Sequence, residues 1–122
     1  MRRLLVVFAL VATVAAPLAA KDDPSDGELL ERRLRACLAS GSAGAPRDSL
    51  ESAVVAVRSL CYSQIRRLRE HRLVAVDAGY GLPEARLTSS QRDELDRARD
   101  TTTRQLNDEI ALAVANFTGL TL

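Results

Sequence analysis

Aromatic residues are nearly missing from this chain, with two Tyr, two Phe and no Trp in 122 residues. A stacking platform for single-stranded nucleic acid needs several such rings, so that class of partner is disfavoured. The core has to be aliphatic. Histidine is as scarce: His71 stands alone, set in Arg69-Glu70-His71-Arg72. Ser63, eight residues earlier, lies roughly on the same side of a helix. Two turns are about 12 Å, so no Ser-His-acid engine assembles there. A Gly-rich phosphate loop, a His-x-x-x-His pair and paired carboxylates in an apolar setting are also missing. An enzyme is not expected, and neither is a cofactor. The two cysteines, Cys37 and Cys61, are too far apart for a Cys-x-x-Cys redox pair, and with a single His they do not make a zinc site. Four Pro and six Gly are too few for a collagen-like or low-complexity chain.

Charge of one sign is lacking too, with 17 Lys+Arg against 16 Asp+Glu. The chain opens on the three-part pattern of an export signal. Arg2 and Arg3 are followed by the apolar run Leu4 to Val14, interrupted by Thr13 alone, and by small residues around Pro17 and Leu18 up to Ala20. The apolar run is shorter than the roughly 20 residues of a spanning helix. These features predict a signal peptide over 1–20, cut within a residue or two of Ala20, and a single helical domain over 21–122. Removal of Arg2 and Arg3 leaves 15 Lys+Arg against 16 Asp+Glu, a net charge of −1. Lys21 is the one lysine among sixteen arginines, a codon signature of a GC-rich bacterial genome. The expected address is the bacterial periplasm or secretion, with no stable membrane insertion of the mature chain.

Helical periodicity dominates what remains. Ser25 and Glu28 have capping-box spacing, and Leu29, Leu30, Leu34, Cys37 and Leu38 follow on one face, predicting a first helix over about 26–40 closed by Gly41. A loop is expected over 41–47. Asp48 and Glu51 repeat the box, and Leu50, Val54, Val57, Cys61, Ile65 and Leu68 step by three or four, predicting one long second helix to about Ala78. Thr88 and Gln91 open a third, with Leu95, Ala98, Thr102, Leu106, Ile110, Ala113 and Phe117 on its face, Gly119 at its end, and a weak point at Thr101-Thr102-Thr103. The fold class is therefore all-α: a three-helix bundle, or a helical hairpin plus a third helix. Leu34, Leu38, Val54, Val57, Ile65, Leu68, Leu106, Ile110 and Phe117 are the expected core.

Cys37 and Cys61 both lie on apolar faces, in a compartment that oxidises thiols, so the first reading is a disulfide between them. Helix ends lying level would leave the pair some 13 Å apart. Buried free thiols or a bond between two chains are the alternatives. Arg58, Arg66, Arg67, Arg69 and Arg72, opposed in their span by Glu70 alone, form a candidate basic face for an anionic surface, a polymer or an acidic protein. The alternative is pairing with the acidic start of the third helix. Leu112, Val114, Leu120 and Leu122 fall partly off the last helix's stripe and are the candidate interaction surface.

Leu87-Thr88-Ser89-Ser90-Gln91 resembles the Leu-Thr-x-x-Gln motif of small all-helical periplasmic stress proteins, which include ATP-independent chaperones and metal-stress regulators. The resemblance implies that Thr88 and Gln91 cap a helix and that the protein forms a cradle-shaped dimer holding unfolded clients. Arg35-Ala36-Cys37 on one helix, a Gly/Pro loop, Cys61 on the next and a charged last helix resemble exported two-cysteine proteins of proteobacteria. That likeness implies a fold and an address, and no activity. The functional expectation is a small non-enzymatic periplasmic structural or protein-interaction module, with an envelope protein or a second copy as partner. A chaperone-like binder of unfolded clients is the alternative.

Overall fold

The computed structural model describes residues 25–121, so the expected signal peptide and Leu122 lie outside the described residues. Among the described residues four α-helices form, α1 Asp26–Ala43, α2 Leu50–Leu60, α3 Tyr62–Ala78 and α4 Ser89–Thr118, with a single 3₁₀ turn at Glu84–Arg86. No strand occurs among the described residues. Chain direction follows from cross-helix neighbours. His71 lies against Gly27, Val57 against Gly41, and Cys37 is bonded to Cys61, so α2 and α3 run antiparallel to α1. Arg58 reaches Asn107 and Arg99 reaches Asp77, so α4 runs antiparallel to α2 and α3 and alongside α1.

Local chemistry accounts for most helix ends. Ser25 Oγ accepts from the Glu28 N–H, and Thr88 with Gln91 forms a complete capping box at 3.2 and 2.9 Å. Gly119 closes α4 in the left-handed region at φ 70°, where a Cβ is unwelcome. Three boundaries differ from expectation. The first helix continues through Gly41 to Ala43 because Gly41 is buried against α2. A Cβ there would meet Leu60 Cδ2 at 3.1 Å and Val57 Cγ1 at 3.4 Å, so this glycine serves close helix approach and not termination. Helix two is capped by Ser49, whose Oγ accepts from the Ser52 N–H, while Asp48 accepts from the Ser52 hydroxyl. The long second helix is divided at Cys61, whose φ −98° and ψ 17° leave the helical well. By contrast α4 is unbroken through its threonines, where Thr102 Oγ1 donates back to the Ala98 carbonyl.

The disulfide forms within the chain, with Cα atoms 5.9 Å apart. Six residues of α1 follow Cys37 and the 11 residues of α2 precede Cys61, an axial mismatch of about 7 Å at 1.5 Å per residue. The connection over 44–49 spans it. The central core joins Leu34 and Leu38 of α1, Leu50, Ala53 and Val57 of α2, Cys61 at the break, Ile65 and Leu68 of α3, and Leu106, Ile110 and Val114 of α4. Two expected core residues are displaced. Val54 is half-buried at the edge, and Phe117 is 44% exposed because Val114 and Thr118, four residues apart, take the inward positions of the last turn. Beyond the start of α1, the end of α3 and the first half of α4 continue as a two-helix arm. Its buried leucines, Leu87 and Leu95, stand apart from the central cluster. Among the described residues, no helix is long and apolar enough to cross a membrane.

Candidate functional site

Parallel α1 and α4 leave an open groove between them. Its upper part, about 320 Å³, has a floor of Leu34, Leu38, Leu68, Leu106, Ile110 and Ala113 and walls carrying Glu28, Glu31, Arg32 and Arg35 on α1, Arg72 on α3 and Glu109 on α4. Its lower part, about 590 Å³, shares Arg35, Glu109 and Ala113 and adds Leu112, Asn116 and Phe117. On α4 these positions step by three and four, so Glu109, Leu112, Ala113, Asn116 and Phe117 form a stripe beside the core stripe. From Leu106 to Phe117 the groove runs about 16 Å. Leu112 is 56% exposed on its rim, opposite the cationic wall.

Arg72 ties the groove's three helices together. Its guanidinium donates to Glu109 through both terminal nitrogens, at 3.1 and 3.0 Å, and to Glu31 at 3.4 Å. Partial burial disfavours its charge, but the hydrogen bonds and charges of Glu109 and then Glu31 more than offset this and hold its pKa above the ordinary value. Five residues further along α3, near its C-terminus, Asp77 accepts from Arg99 at 2.8 Å, and Arg99 also approaches Glu84 and Asp96. That hydrogen bond holds the Asp77 carboxyl below its ordinary value.

The expected basic face is brought together only in part. Arg58, Arg66 and Arg69 surround one small open pocket of about 170 Å³ with Ser59, Tyr62 and Ile65. Arg67 faces a different hollow, beside Arg33 and Cys37, and Arg72 belongs to the groove. No member of the set pairs with the start of α4. Arg72 uses Glu31 and Glu109, and Arg58 donates to the neutral Asn107 amide at 2.9 Å.

The expected hydrophobic contact surface is also divided. Leu112 is exposed, Leu120 is half-buried against the core, and Leu122 lies outside the described residues. Val114 is completely buried and so is no surface residue. The inward stripe runs Leu106, Ile110, Val114, Thr118 in steps of four, where the sequence reading stepped to Ala113 and Phe117. That reading missed Phe117 as a rim residue, and Arg32, Arg35 and Glu109 as walls. Their only signal was charge and apolarity on the flanks of two helices that run side by side, which becomes visible once the helices are paired. His71 packs over Gly27 at the start of α1, and Ser63 Oγ bonds to its neighbour Gln64. Comparison with family models, curated proteins and solved structures returned no match, so the chain's function rests on its own geometry.

Proposed function

We propose that this protein is an exported, non-enzymatic interaction module of the bacterial periplasm that holds an amphipathic helix of an envelope protein in the α1–α4 groove. The groove itself carries this reading: a cleft about 16 Å long beside α4, closed beneath by core leucines and offering half-buried Ala113 and exposed Leu112 and Phe117 as its apolar contacts. Charge defines the occupant further. Arg32 and Arg35 on the α1 wall make no ion pair among the described residues, whereas Glu31 and Glu109 are held by Arg72, which suits an apolar stripe with acidic residues on the flank that meets Arg32 and Arg35. A disulfide between α1 and the α2–α3 break supports both an oxidising compartment and a fixed scaffold for the groove. The export pattern of the first 20 residues supports the address.

Two synthetic helical peptides test the reading, one with that flanking charge pattern and one with the flanks exchanged. Amide shifts mapped by NMR should move along Arg32 to Leu38 and Leu106 to Phe117 for the first peptide only. Arg35→Glu should reverse the preference. Shifts of equal size for both peptides, or shifts confined to other surfaces, would overturn the proposal. The chaperone-like alternative has its own support in the exposed Leu112 and Phe117 and in the Leu87 to Gln91 motif. Suppression of a model protein's aggregation at equimolar ratio, weakened by Phe117→Ser, would favour it.

A further inference from the structure

The arginines of this chain divide into two populations. Arg72 and Arg99 engage carboxylates, and Arg47 and Arg92 donate to the carbonyls of Thr118 and Leu87. Arg58, Arg66 and Arg69, like most of the described arginines, have no carboxylate within ion-pair distance among the described residues; what sets these three apart is that they converge on one pocket. Arg58 is half-buried and held by Asn107, an uncharged partner that orients the guanidinium and leaves its charge uncompensated. A carboxylate there would have closed the site.

The same face carries apolar groups that water does not reward. Val55, Ser59, Tyr62, Arg66 and Arg69 follow one another at three- or four-residue steps, with Arg58 beside Ser59, and Val55 is 60% and Tyr62 62% exposed. From Val55 to Arg69 the row is about 21 Å long. We propose that this face of α2 and α3 is a peripheral docking surface for an anionic lipid headgroup layer. Guanidiniums bind phosphate oxygens with matched planar donors, and a Tyr with one polar end suits the boundary between headgroups and acyl chains. A free phosphate would use the arginines but leave Val55 and Tyr62 in water, and one ion would not need a row of this length. Nucleic acid would find one stacking ring. The face is separate from the α1–α4 groove, so the inference stands or falls independently of the groove's occupant.

Co-sedimentation of the purified protein, in its exported form, with phospholipid vesicles tests this. Binding is expected to vesicles of phosphatidylcholine and phosphatidylglycerol in equal parts, not to phosphatidylcholine alone, and should weaken as salt rises. Arg66→Gln with Arg69→Gln, at side chains that make no hydrogen bond or ion pair within the fold, should weaken it roughly thirtyfold, about fivefold per arginine. Arg86→Gln with Arg97→Gln removes the same charge away from the face and should change it less than about twofold on the same basis. Equal loss from both pairs would overturn the face, and absence of sedimentation would overturn the lipid surface. Resonance shifts around Tyr62 with inorganic phosphate, or retention on a polysulfated glycan, without vesicle binding would assign the arginines to those anions and overturn the lipid source.

Discussion

Ser42 is fully buried at the end of α1, and its hydroxyl has no hydrogen-bond partner among the described residues. An orphaned buried hydroxyl costs on the order of 1 kcal/mol or more. Ser42→Ala should therefore raise stability by about 1 kcal/mol and the melting temperature by several degrees, read by thermal and urea denaturation. Arg47 has the opposite sign. Its guanidinium donates at 2.8 Å to the carbonyl of Thr118, one of the last carbonyls of α4, where a cation is favoured. Arg47→Ala should cost about 1 kcal/mol and speed amide exchange in the final turn of α4. Neither role is legible in the sequence: one depends on what faces a serine, the other on which helix end comes to rest beside a loop. The misplacement of Val114 and Phe117 has the same origin. Steps of three and four are both helical, and only the neighbours decide which becomes the inward stripe.

Helix starts were the most legible elements, because Ser25, Thr88 and Gln91 act on N–H groups within three residues of themselves. The division at Cys61 and the extension through Gly41 were not, since both arise where α1 and α2 meet. The two-helix arm depends on a small number of polar contacts, chiefly Arg99 to Asp77. Asp77 is held below its ordinary carboxyl value by that hydrogen bond, so the folded arm binds its proton more weakly than the unfolded chain does. Its contribution is fully present above the unfolded value near 3.8 and is lost as pH falls through the lower, folded value. Protection of amides around Leu95, relative to their intrinsic exchange at each pH, should fall below about pH 4, ahead of that around Ile110. Asp77→Asn should remove that difference in pH dependence; a persisting difference would place the sensitivity in other carboxylates.

At the scale of the molecule, one covalent link joins the first two helical segments in a chain nearly without aromatic rings. Residues 24 apart are closed by the disulfide, which by loop entropy contributes about 3 kcal/mol. Cys37→Ala with Cys61→Ala should lower the urea midpoint by an amount equivalent to about 3 kcal/mol, with helix content measured by circular dichroism largely kept at low denaturant. A far smaller loss would mean that packing around Ala53, Val57 and Ile110 holds the helices unaided. The all-α class, the capped starts of α1 and α4 and the apolar identity of most core positions could be read from the sequence, because periodicity and capping act within a few residues and are written locally. Tertiary structure alone decided the break at Cys61, the inward turn of Val114, the groove between α1 and α4, and the separation of paired from unpaired arginines. Each depends on contacts between residues tens of positions apart, and their distances are set by how helices of unequal length pack side by side.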